Sequence, residues 1–547
     1  MSDQGELYAK SWILFHILDR FMGSREIVAV RRRLIVLGEQ LRSRKGRTDP
    51  TETFYTGSRA EGMHLKWSDA DAMCINKNVI VTCPDNYIFS DQLDSANKTI
   101  LIMRDASSRP GYVNLELLHL GQRYGQHFQH SIIQVGDVYF ISSEIYKLAF
   151  AEVLSEAHQT NVDINGPAVT LRDENSSDLD QAISFPCYNW PSEANEWMSR
   201  PRLSGWPNKA LRDQIVQGGC HLVPVGDKTS GNPFLQWRIS FTTAERKLIY
   251  TLTQVQFLVY ALLKYFLKQI SGMLKQMLGE ADILSSYILK TVIFHAVEIT
   301  AASFWQEKHT FLCFMLCLKI LINWVKAGHC PNYFIKNNNM FLGKVQGENQ
   351  RKLLRFLTDL HDMKWGCLSV GTFLQPTIGD LIYIVRQGPR ECVLPPPAQS
   401  ENERDFDICH NVNTSLLEEI KRNIEFTQEN SQFYPSQLHP EITKLSNRAK
   451  LLIPPLPYAV FLSFLCYHEL GDTRRRDTAL IHLRAVKYDE EQGVGEHWIV
   501  HNLLGICYEM VGDVRRALRE YKDSLISRRC DQHKNPARER IDRLQHS

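Results

Sequence analysis

The sequence lacks three features that would assign it quickly to a class of proteins. It has no charge excess, since 63 Lys and Arg residues stand against 61 Asp and Glu, a net charge of +2 at pH 7. Any basic surface for nucleic acid therefore has to be local. Its 13 cysteines include no Cys-x-x-Cys pair. Cys313 and Cys317, four apart in an apolar segment, are expected to be buried hydrophobic residues rather than zinc ligands.

A long apolar run is also missing. The longest, Phe311 to Val325, is interrupted by Lys319 and is shorter than the roughly 20 residues that a membrane span needs. We expect it to form a buried helix. Free cysteines in a chain without a signal peptide indicate a reducing compartment. The sequence therefore predicts a cytoplasmic protein that is not bound to a membrane.

At roughly 100–200 residues per domain, the 547 residues predict three or four domains. Residues 1–50 form a basic helical spine, with one or two helices over residues 8–45 around an interruption at Gly23-Ser24. The basic residues of this segment form either a solvated helix face or a local surface for nucleic acid. They are Arg31, Arg32, Arg33, Arg42, Arg44, Lys45 and Arg47.

Residues 51–245 alternate short β-like runs with polar segments that contain Gly and Pro, which predicts a mixed core. The runs are 71–80, 99–103, 137–142, 182–185, 221–225 and 235–241. Residues 246–392 carry apolar residues at helical spacing and predict a helical lobe. A linker that begins near Pro395-Pro396-Pro397, with a connecting helix, fills residues 393–440. The predicted fold class is α+β.

Residues 441–547 contain an internal repeat. The segment from Cys466 to Asp472 returns as the segment from Cys507 to Asp513, each in a helical context with a Gly-Asp turn. This pattern resembles a tetratricopeptide repeat, in which paired helices pack through small residues. Two copies are too few for a free-standing solenoid, so we expect them to dock on the rest of the chain and to bind a protein partner.

The chemistry is concentrated in the segment from Thr56 to Met73. Gly57-Ser58 offers backbone N–H groups and a hydroxyl that can hold a triphosphate. Asp69 follows eleven residues after Ser58, and Asp71 comes next at the period of a strand, so both carboxylates point to one face. Paired carboxylates of this kind suit Mg²⁺ or Mn²⁺.

Phosphoryl transfer through two metal ions needs a third carboxylate. Asp180 is the first candidate, because it opens a strand-like run before Trp190-Pro191. Asp178 is the alternative, since it has the same parity along the chain. The expected site is therefore a two-metal centre of Asp69, Asp71 and Asp180, a set typical of nucleotidyltransferases.

Further along, the sequence resembles the male-abnormal-21 family, which includes cyclic GMP–AMP synthase and synthase-like receptors of animal innate immunity. The resemblance covers roughly residues 50–345. Besides the Gly-Ser and Asp-x-Asp segment, its anchors are Trp190-Pro191, Leu222-Val223-Pro224, Trp237 to Phe241 with Glu245, Ser285-Ser286-Tyr287 with Lys290-Thr291, and Asn332 to Ile335.

The resemblance implies a polymerase-β-like nucleotidyltransferase core with an attached helical lobe and a cleft between them. It also implies a role for each site residue. Gly57 and Ser58 would hold the β- and γ-phosphates, and Asp180 would also help to deprotonate the attacking ribose hydroxyl. The other nucleotide-binding residues would be Arg238 and Ser240 at a base, Tyr287 stacked on a base, Ser286 and Lys264 at phosphates, and Glu245.

Two of these roles compete with plainer ones. Tyr287 offers a flat π-face to a base, but a core aromatic residue would occupy the same position in the sequence. Lys264 would equally serve as a solvated helix residue.

One difference from the family's sequence pattern affects which nucleic acid is expected as the activator. Cyclic GMP–AMP synthase carries a zinc-binding insertion of one His and three Cys after the Trp-Arg-x-Ser-Phe segment. Here the sequence continues from Glu245 without such a cluster, so no structural zinc is expected. The resemblance then favours double-stranded RNA over double-stranded DNA as the activator. ATP, GTP or other nucleoside triphosphates would be joined into a linear and then a cyclic dinucleotide.

Two other functions remain open. Members of this family exist that have lost activity and act as binding or scaffold proteins. The retained Gly57, Ser58, Asp69 and Asp71, together with Asp180 as the expected third carboxylate, favour an active enzyme. An oligoadenylate synthase or an RNA-tailing enzyme would share the metal chemistry, but the anchors in the helical lobe argue against both.

Overall fold

The fold was analysed in a computed structural model. It describes residues 3–45, 51–63, 70–84, 97–122, 126–158, 160–171, 179–279, 283–387, 425–426, 435–438, 440, 451–453, 455–486, 497–527 and 535–546. Two compact units divide the chain, residues 1–408 and 409–547. Asp69 and Asp178, both expected near the metal site, lie outside the described residues. The finer domain boundaries given above stay predictions.

Two helices open the first unit, as the interruption at Gly23-Ser24 predicts. They are α1, Asp3–Met22, and α2, Arg25–Lys45. Leu14 and Leu18 of α1 are fully buried in the main core of this unit. Gln254 donates a hydrogen bond to Asp19 Oδ1 at 2.7 Å, which fixes the end of α1 to the helical part of the unit.

Twelve strands follow within the described residues, with helices between them. Every predicted β-like run contains a strand, although the run 71–80 is divided into β2 and β3. The strands are β1 Thr51–Thr56, β2 Ala70–Asn76, β3 Val79–Thr82, β4 Thr99–Asp105, β5 Tyr112–His119, β6 Ile132–Val135, β7 Val138–Ile141, β8 Val162–Asn165, β9 Ala168–Leu171, β10 Leu179–Cys187, β11 Cys220–Val223 and β12 Gln236–Ser240. The helices between them are α3 Gly57–Ala60, α4 Gln126–His130, α5 Ser143–His158, α6 Asn195–Ser199 and α7 Lys209–Gln217.

Strand β10 is the centre of the sheet. Its first half pairs in parallel with β2 and antiparallel with β9, while its second half pairs with β11. The path continues from β11 through β12, β5, β4 and β3, and β3 returns to the end of β10 at Cys187. Aromatic packing fills this ring of strands, with Phe185 stacked on Trp237 at 4.8 Å between ring centroids. Asp180, the candidate catalytic residue at the start of β10, therefore lies on the central strand of a well-packed sheet.

Helices dominate from residue 242 to 387, as predicted. They are α8 Thr242–Tyr250, α9 Gln254–Leu278, α10 Ser286–Ile299, α11 Thr310–Ala327, α12 Gly347–Asp362 and α13 Ile378–Gln387. Thr253 caps α9 in a reciprocal arrangement with Gln256, which satisfies the first free N–H groups of the helix. Cys313 and Cys317 are fully buried in α11, and burial raises the pKa of Cys313 to about 12.

Two segments are long and apolar enough to cross a membrane by length and composition, Gln254–Leu278 and Glu307–Ala327. Of the 18 most apolar consecutive residues in each segment, 67% and 56% respectively are buried inside the structure. Core helices of soluble proteins have the same properties.

A buried ion cluster joins the strand-rich part of the first unit to α10. The carboxylate of Glu298, at the end of α10, accepts from Arg202 Nε at 2.8 Å and lies 3.2 Å from Arg200 Nε. Tyr333 also donates its hydroxyl proton to Glu298, at 2.7 Å. Both charged side chains of the Arg202–Glu298 pair are less than 5% exposed. Breaking such a pair leaves an uncompensated buried charge, so it is a structural necessity of this unit.

The second unit consists mainly of antiparallel helices. They are α14 Pro455–Glu469, α15 Thr473–Val486, α16 His497–Met510, α17 Val514–Ile526 and α18 Ala537–His546, with a two-stranded sheet of β13 Glu425–Phe426 and β14 Leu451–Leu452. The repeated Gly-Asp pairs lie at the turns between α14 and α15 and between α16 and α17. Their identification as tetratricopeptide-like stays a prediction.

Close packing of α16 on α17 depends on Gly505. A Cβ atom at this position would lie 2.4 Å from Cε1 of Tyr521. Tyr521 is fully buried, and its hydroxyl is held by Glu509 Oε2 at 2.9 Å, so the ring has little room to move. A small residue here is what lets the two helices approach.

We expect Gly505→Ala to destabilise the second unit by about 1–3 kcal/mol, the usual effect of overpacking. The matched control is Gly272→Ala in the middle of α9, where an added Cβ meets nothing within 4 Å. That change should stabilise α9 by about 0.5–1 kcal/mol, since it only restricts the unfolded chain. Urea titration monitored by hydrogen exchange of residues 497–527 and 254–278 measures both effects. Unchanged stability of Gly505→Ala would contradict the packing argument.

Candidate functional site

Two of the predicted metal-binding carboxylates lie side by side at the start of the central strand pair. Asp71 on β2 is in register with Asp180 on the parallel strand β10. Directly opposed residues point to the same face of a sheet, so the two carboxylates share one face. Asp180 Oδ1 accepts a hydrogen bond from Thr170 Oγ1 at 2.6 Å, because Thr170 stands opposite it on β9. Sequence patterns do not single out Thr170, because only the register of β9 and β10 places it beside Asp180.

Gly57 lies against the same carboxylate. Strand β1 pairs Thr56 with Asp71, so the next residue passes directly beside the Asp71 side chain. Gly57 has φ +68°, and a Cβ atom there would stand 1.8 Å from Asp71 Oδ2. Only glycine combines this backbone conformation with the close approach. The Gly-Ser turn and the first carboxylate are therefore fixed to each other.

These residues fit a hard divalent cation. Two carboxylates on one face supply oxygen ligands of the kind that Mg²⁺ prefers, and Mg²⁺ leaves positions for water and substrate phosphate. The Gly57 contact keeps the Asp71 side chain in a defined place beside the Gly-Ser turn. Asp69 belongs to the predicted ligand set but lies outside the described residues.

Ser58 on α3 lies against Lys264 on α9. Lys264 Nζ donates a hydrogen bond to Ser58 Oγ, and the Lys264 side chain is 9% exposed. Lys264 is thus not a solvated helix residue, the plainer of its two roles above. Burial lowers the pKa of Lys264, while the nearby Glu61 carboxylate opposes that shift. A hydroxyl and an ammonium group together form a suitable pair for an anionic ligand.

The turn that follows α3 is held from the outside by two helices. Arg32 on α2 donates to the carbonyl oxygen of Glu61 at 2.8 Å, and Arg31 donates to that of Gly62 at 3.4 Å. Tyr250 at the end of α8 donates to the carbonyl oxygen of Ala60, also at 2.8 Å. Two arginines of the basic helix therefore point inward, and they fix the backbone just after α3, the short helix that begins with Gly57-Ser58.

Residues expected to contact a base lie on β12 and at the start of α10. Arg238 and Ser240 alternate with buried neighbours on β12, so both point to one face. Ser240 Oγ lies 2.8 Å from Thr242 Oγ1. Within the described part of the chain, the Arg238 guanidinium has no hydrogen bond or ion pair. A planar fork without a partner is suited to the acceptor edge of a purine.

Tyr287 is half-buried in the first turn of α10, next to the exposed Ser286. Its hydroxyl accepts a hydrogen bond from Asn332 Nδ2 at 3.1 Å, which orients the ring. Burial raises the pKa of Tyr287, so the phenol stays neutral. The positive charge of Arg238 opposes this rise in the pKa of Tyr287. The two residues expected to contact a base therefore lie in the same region.

Glu245 differs from the other predicted nucleotide contacts. It lies in the first turn of α8, is 5% exposed, and accepts a hydrogen bond from Lys290 Nζ at 3.0 Å. A direct contact between Glu245 and a base would require this ion pair to open. Sequence reasoning gave no role to Lys290 or to Glu61, its second partner. The available signal was a lysine within an otherwise apolar stretch of α10.

Comparison with known proteins adds an independent line of information. Residues 75–251 match the profile of the Mab-21 protein nucleotidyltransferase domain, and residues 258–359 match that of the Mab-21 protein HhH/H2TH-like domain. The first match implies a polymerase-β-like fold for the core. Asp180, Arg238 and Lys264 fall inside the matched ranges, whereas Gly57, Ser58 and Asp71 precede them. The assignment of the Gly-Ser turn and of Asp71 therefore depends on geometry.

Curated relatives include cyclic GMP-AMP synthase. The chain is 25% identical to the protein of Mus musculus over 206 residues, 34% of this chain and 39% of that protein. It is 26% identical to the protein of Sus scrofa over 197 residues, 32% of this chain and 38% of that protein. The alignments thus span about two fifths of the length of these relatives.

We expect Gly57→Ala to weaken Mn²⁺ binding at this site by roughly tenfold or more, as for other changes that displace a metal-ligating carboxylate. The added methyl group would occupy the place of Asp71 Oδ2. Gly166→Ala is the matched control, because Gly166 has φ +62° and open space around it. Electron paramagnetic resonance of added Mn²⁺ gives the affinities. Equal affinities for the two variants would show that the contact between Gly57 and Asp71 does not support Mn²⁺ binding.

Proposed function

We propose that this chain, which belongs to the Mab-21 family, is an active nucleotidyltransferase that joins two nucleoside triphosphates into a cyclic dinucleotide. One observation carries the proposal: Asp71 and Asp180 stand opposite each other beside Gly57, and Ser58 in the same turn is paired with Lys264. This arrangement would supply carboxylates for metal ions and donors for phosphates at one site. An inactive scaffold protein would have no need to keep both.

The residues divide the chemistry between them. Bound Mg²⁺ or Mn²⁺, held by Asp71, Asp180 and Asp69, would supply positive charge at the phosphates and lower the pKa of a coordinated hydroxyl. Ser58 and Lys264 bind the β- and γ-phosphates and orient the α-phosphate for in-line attack. Arg238 and Ser240 hold one base by its edge, and Tyr287 offers a face for stacking. Ser286, exposed beside Tyr287, contacts a phosphate.

Asp180 has one oxygen to spare for the proton. Thr170 occupies Oδ1, while Oδ2 has no hydrogen-bond partner among the described residues. A ribose hydroxyl oxygen attacks the α-phosphorus, the bond from that phosphorus to the bridging oxygen breaks, and pyrophosphate leaves. The hydroxyl proton passes to Asp180 Oδ2. A second attack of the same kind within the linear dinucleotide closes the ring and releases a second pyrophosphate.

An activating ligand is part of the proposal. We favour double-stranded RNA, which is recognised by its shape and its backbone. Within α2, Arg33 is exposed, whereas Arg31 and Arg32 are bound to backbone carbonyls. A ligand on the outer face of α2 would thus touch the helix that holds the Gly-Ser turn. Such an interaction would weaken as salt is added.

The remaining assignments follow from the same proposal. We place the protein in the cytoplasm, where nucleoside triphosphates and a nucleic-acid activator are accessible, and in innate immune sensing. The helices of the second unit would bind a protein partner in the manner of tetratricopeptide-like repeats.

Incubation with the four labelled nucleoside triphosphates and Mg²⁺ or Mn²⁺, with double-stranded RNA, with double-stranded DNA or with neither, tests the activity. The expected product resists phosphatase, the mark of a closed ring. Asp71→Asn should reduce product formation by more than about a hundredfold. Changes to residues that only support a metal ligand typically reduce activity by about 10- to 100-fold, and loss of a ligand itself should have a larger effect. Asp137→Asn, an exposed carboxylate at the β6–β7 turn, is the control and should keep full activity. Turnover of Asp71→Asn at the wild-type rate would overturn the metal assignment.

The third carboxylate has its own test. Asp180→Ala should abolish product formation, because it removes both a metal ligand and the proton acceptor. Asp178→Ala should leave the rate within a few fold of wild type. The same nucleotidyltransferase assay compares them. Loss of activity in Asp178→Ala alone would move the third ligand to that residue.

A further inference from the structure

Four charged side chains are buried together between the turn after α3 and the helices α8, α9 and α10. Two are carboxylates and two are ammonium groups, so the cluster is neutral as a whole. Each side chain is at most 13% exposed. The members are Glu61, Glu245, Lys264 and Lys290. Ion pairs at this depth are costly to bury, and they persist only where the geometry compensates each charge.

Glu61 is the residue through which the cluster reaches the Gly-Ser turn. Its Oε1 lies 2.7 Å from Lys290 Nζ, and its Oε2 accepts from Tyr260 at 3.2 Å. Burial alone would raise the pKa of Glu61, but the Lys290 and Lys264 charges and these hydrogen bonds bring that pKa below its ordinary value. Glu61 is therefore a charged carboxylate whose two oxygens are both engaged by the helical lobe.

Lys290 bridges two carboxylates. Its ammonium lies 2.7 Å from Glu61 and 3.0 Å from Glu245. Burial would lower the pKa of Lys290, yet the two carboxylates raise that pKa well above its ordinary value. The bridge connects α10 and α8 to the turn after α3, three elements far apart in the sequence.

Within the cluster, Lys264 is the residue whose ammonium group is placed to bind a ligand. Its ammonium is 4.0 Å from Glu61 Oε2 but donates to Ser58 Oγ. Because Lys290 takes the shorter contact with Glu61, the Lys264 ammonium stays directed at the Gly-Ser turn. Glu61 still supplies a negative charge near Lys264, which favours the charged form of that lysine at a buried position.

We propose that Glu61 and Lys290 are positioning residues for the triphosphate, a pair that holds Ser58 and directs Lys264 toward the phosphates without touching the substrate. This inference rests on the proposed function, since it names the support of the same site. A pair that only stabilised the fold would lower the free energy of unfolding and leave the nucleotide affinity of the folded protein unchanged. The two possibilities are therefore separable by measurement.

The test uses the full-length protein and an ATP analogue with a methylene group between its α- and β-phosphates, bound in the presence of Mg²⁺. Glu61→Gln and Lys290→Met should each weaken its affinity by roughly tenfold or more. The double variant should lose no more than the worse single variant, because the two residues act as one unit. Glu298→Gln is the matched control: it breaks an equally buried ion pair of the same unit and should lower stability alone.

Hydrogen exchange of residues 57–63 is measured on the same samples, in the absence of nucleotide. Glu61→Gln should accelerate exchange there far more than Glu298→Gln does. Wild-type affinity in the Glu61 and Lys290 variants, or strictly additive losses, would overturn the proposal. If the wild-type protein bound no nucleotide, the proposed function would fail. The exchange data would then still decide whether the pair holds the turn, and equal exchange in both variants would refute it.

Discussion

The contact between Gly57 and Asp71 is the constraint on which the candidate site depends. It exists because β1 and β2 pair up to Thr56 and Asp71, and because β10 adds Asp180 in parallel register beside them. The absence of a side chain at Gly57 lets the Gly-Ser turn lie directly against the Asp71 carboxylate. The neighbouring helices contact the residues that follow this turn.

The support comes from both sides of the turn and uses different chemistry on each. On the outer side, Arg31, Arg32 and Tyr250 bind backbone carbonyl groups, so the identity of the turn residues matters little to them. On the inner side, Lys290 and Tyr260 bind the Glu61 side chain, which makes that one residue essential to the contact. Backbone contacts define where the turn runs, and the buried charges define how it faces the helical lobe.

Much of this organisation was predictable from the sequence. Periodicity located the helices, each predicted β-like run contains a strand, and the spacing of Gly57, Ser58 and Asp71 predicts phosphate-transfer chemistry, which stays a proposal. Strands such as β8 and β9 escaped notice because each is only four residues long, and β8 is mostly exposed. Thr170, Glu61 and Lys290 escaped for another reason: their partners lie from 10 to more than 200 residues away, and only the register of the sheet and the packing of α9 and α10 bring them together. The inward direction of Arg31 and Arg32 was equally invisible in a run of basic residues.

The bridging residue Lys290 bears on how related chains are classified as active or inactive enzymes. The usual criterion is whether the metal-binding carboxylates are intact. If Glu61 and Lys290 position the triphosphate as we propose, a chain with every carboxylate in place would lose activity when an apolar residue stood at Lys290, since Glu61 and Glu245 would lose the ammonium group that both contact. Loss of function would then begin in the helical lobe, more than 200 positions after Asp71 in the sequence.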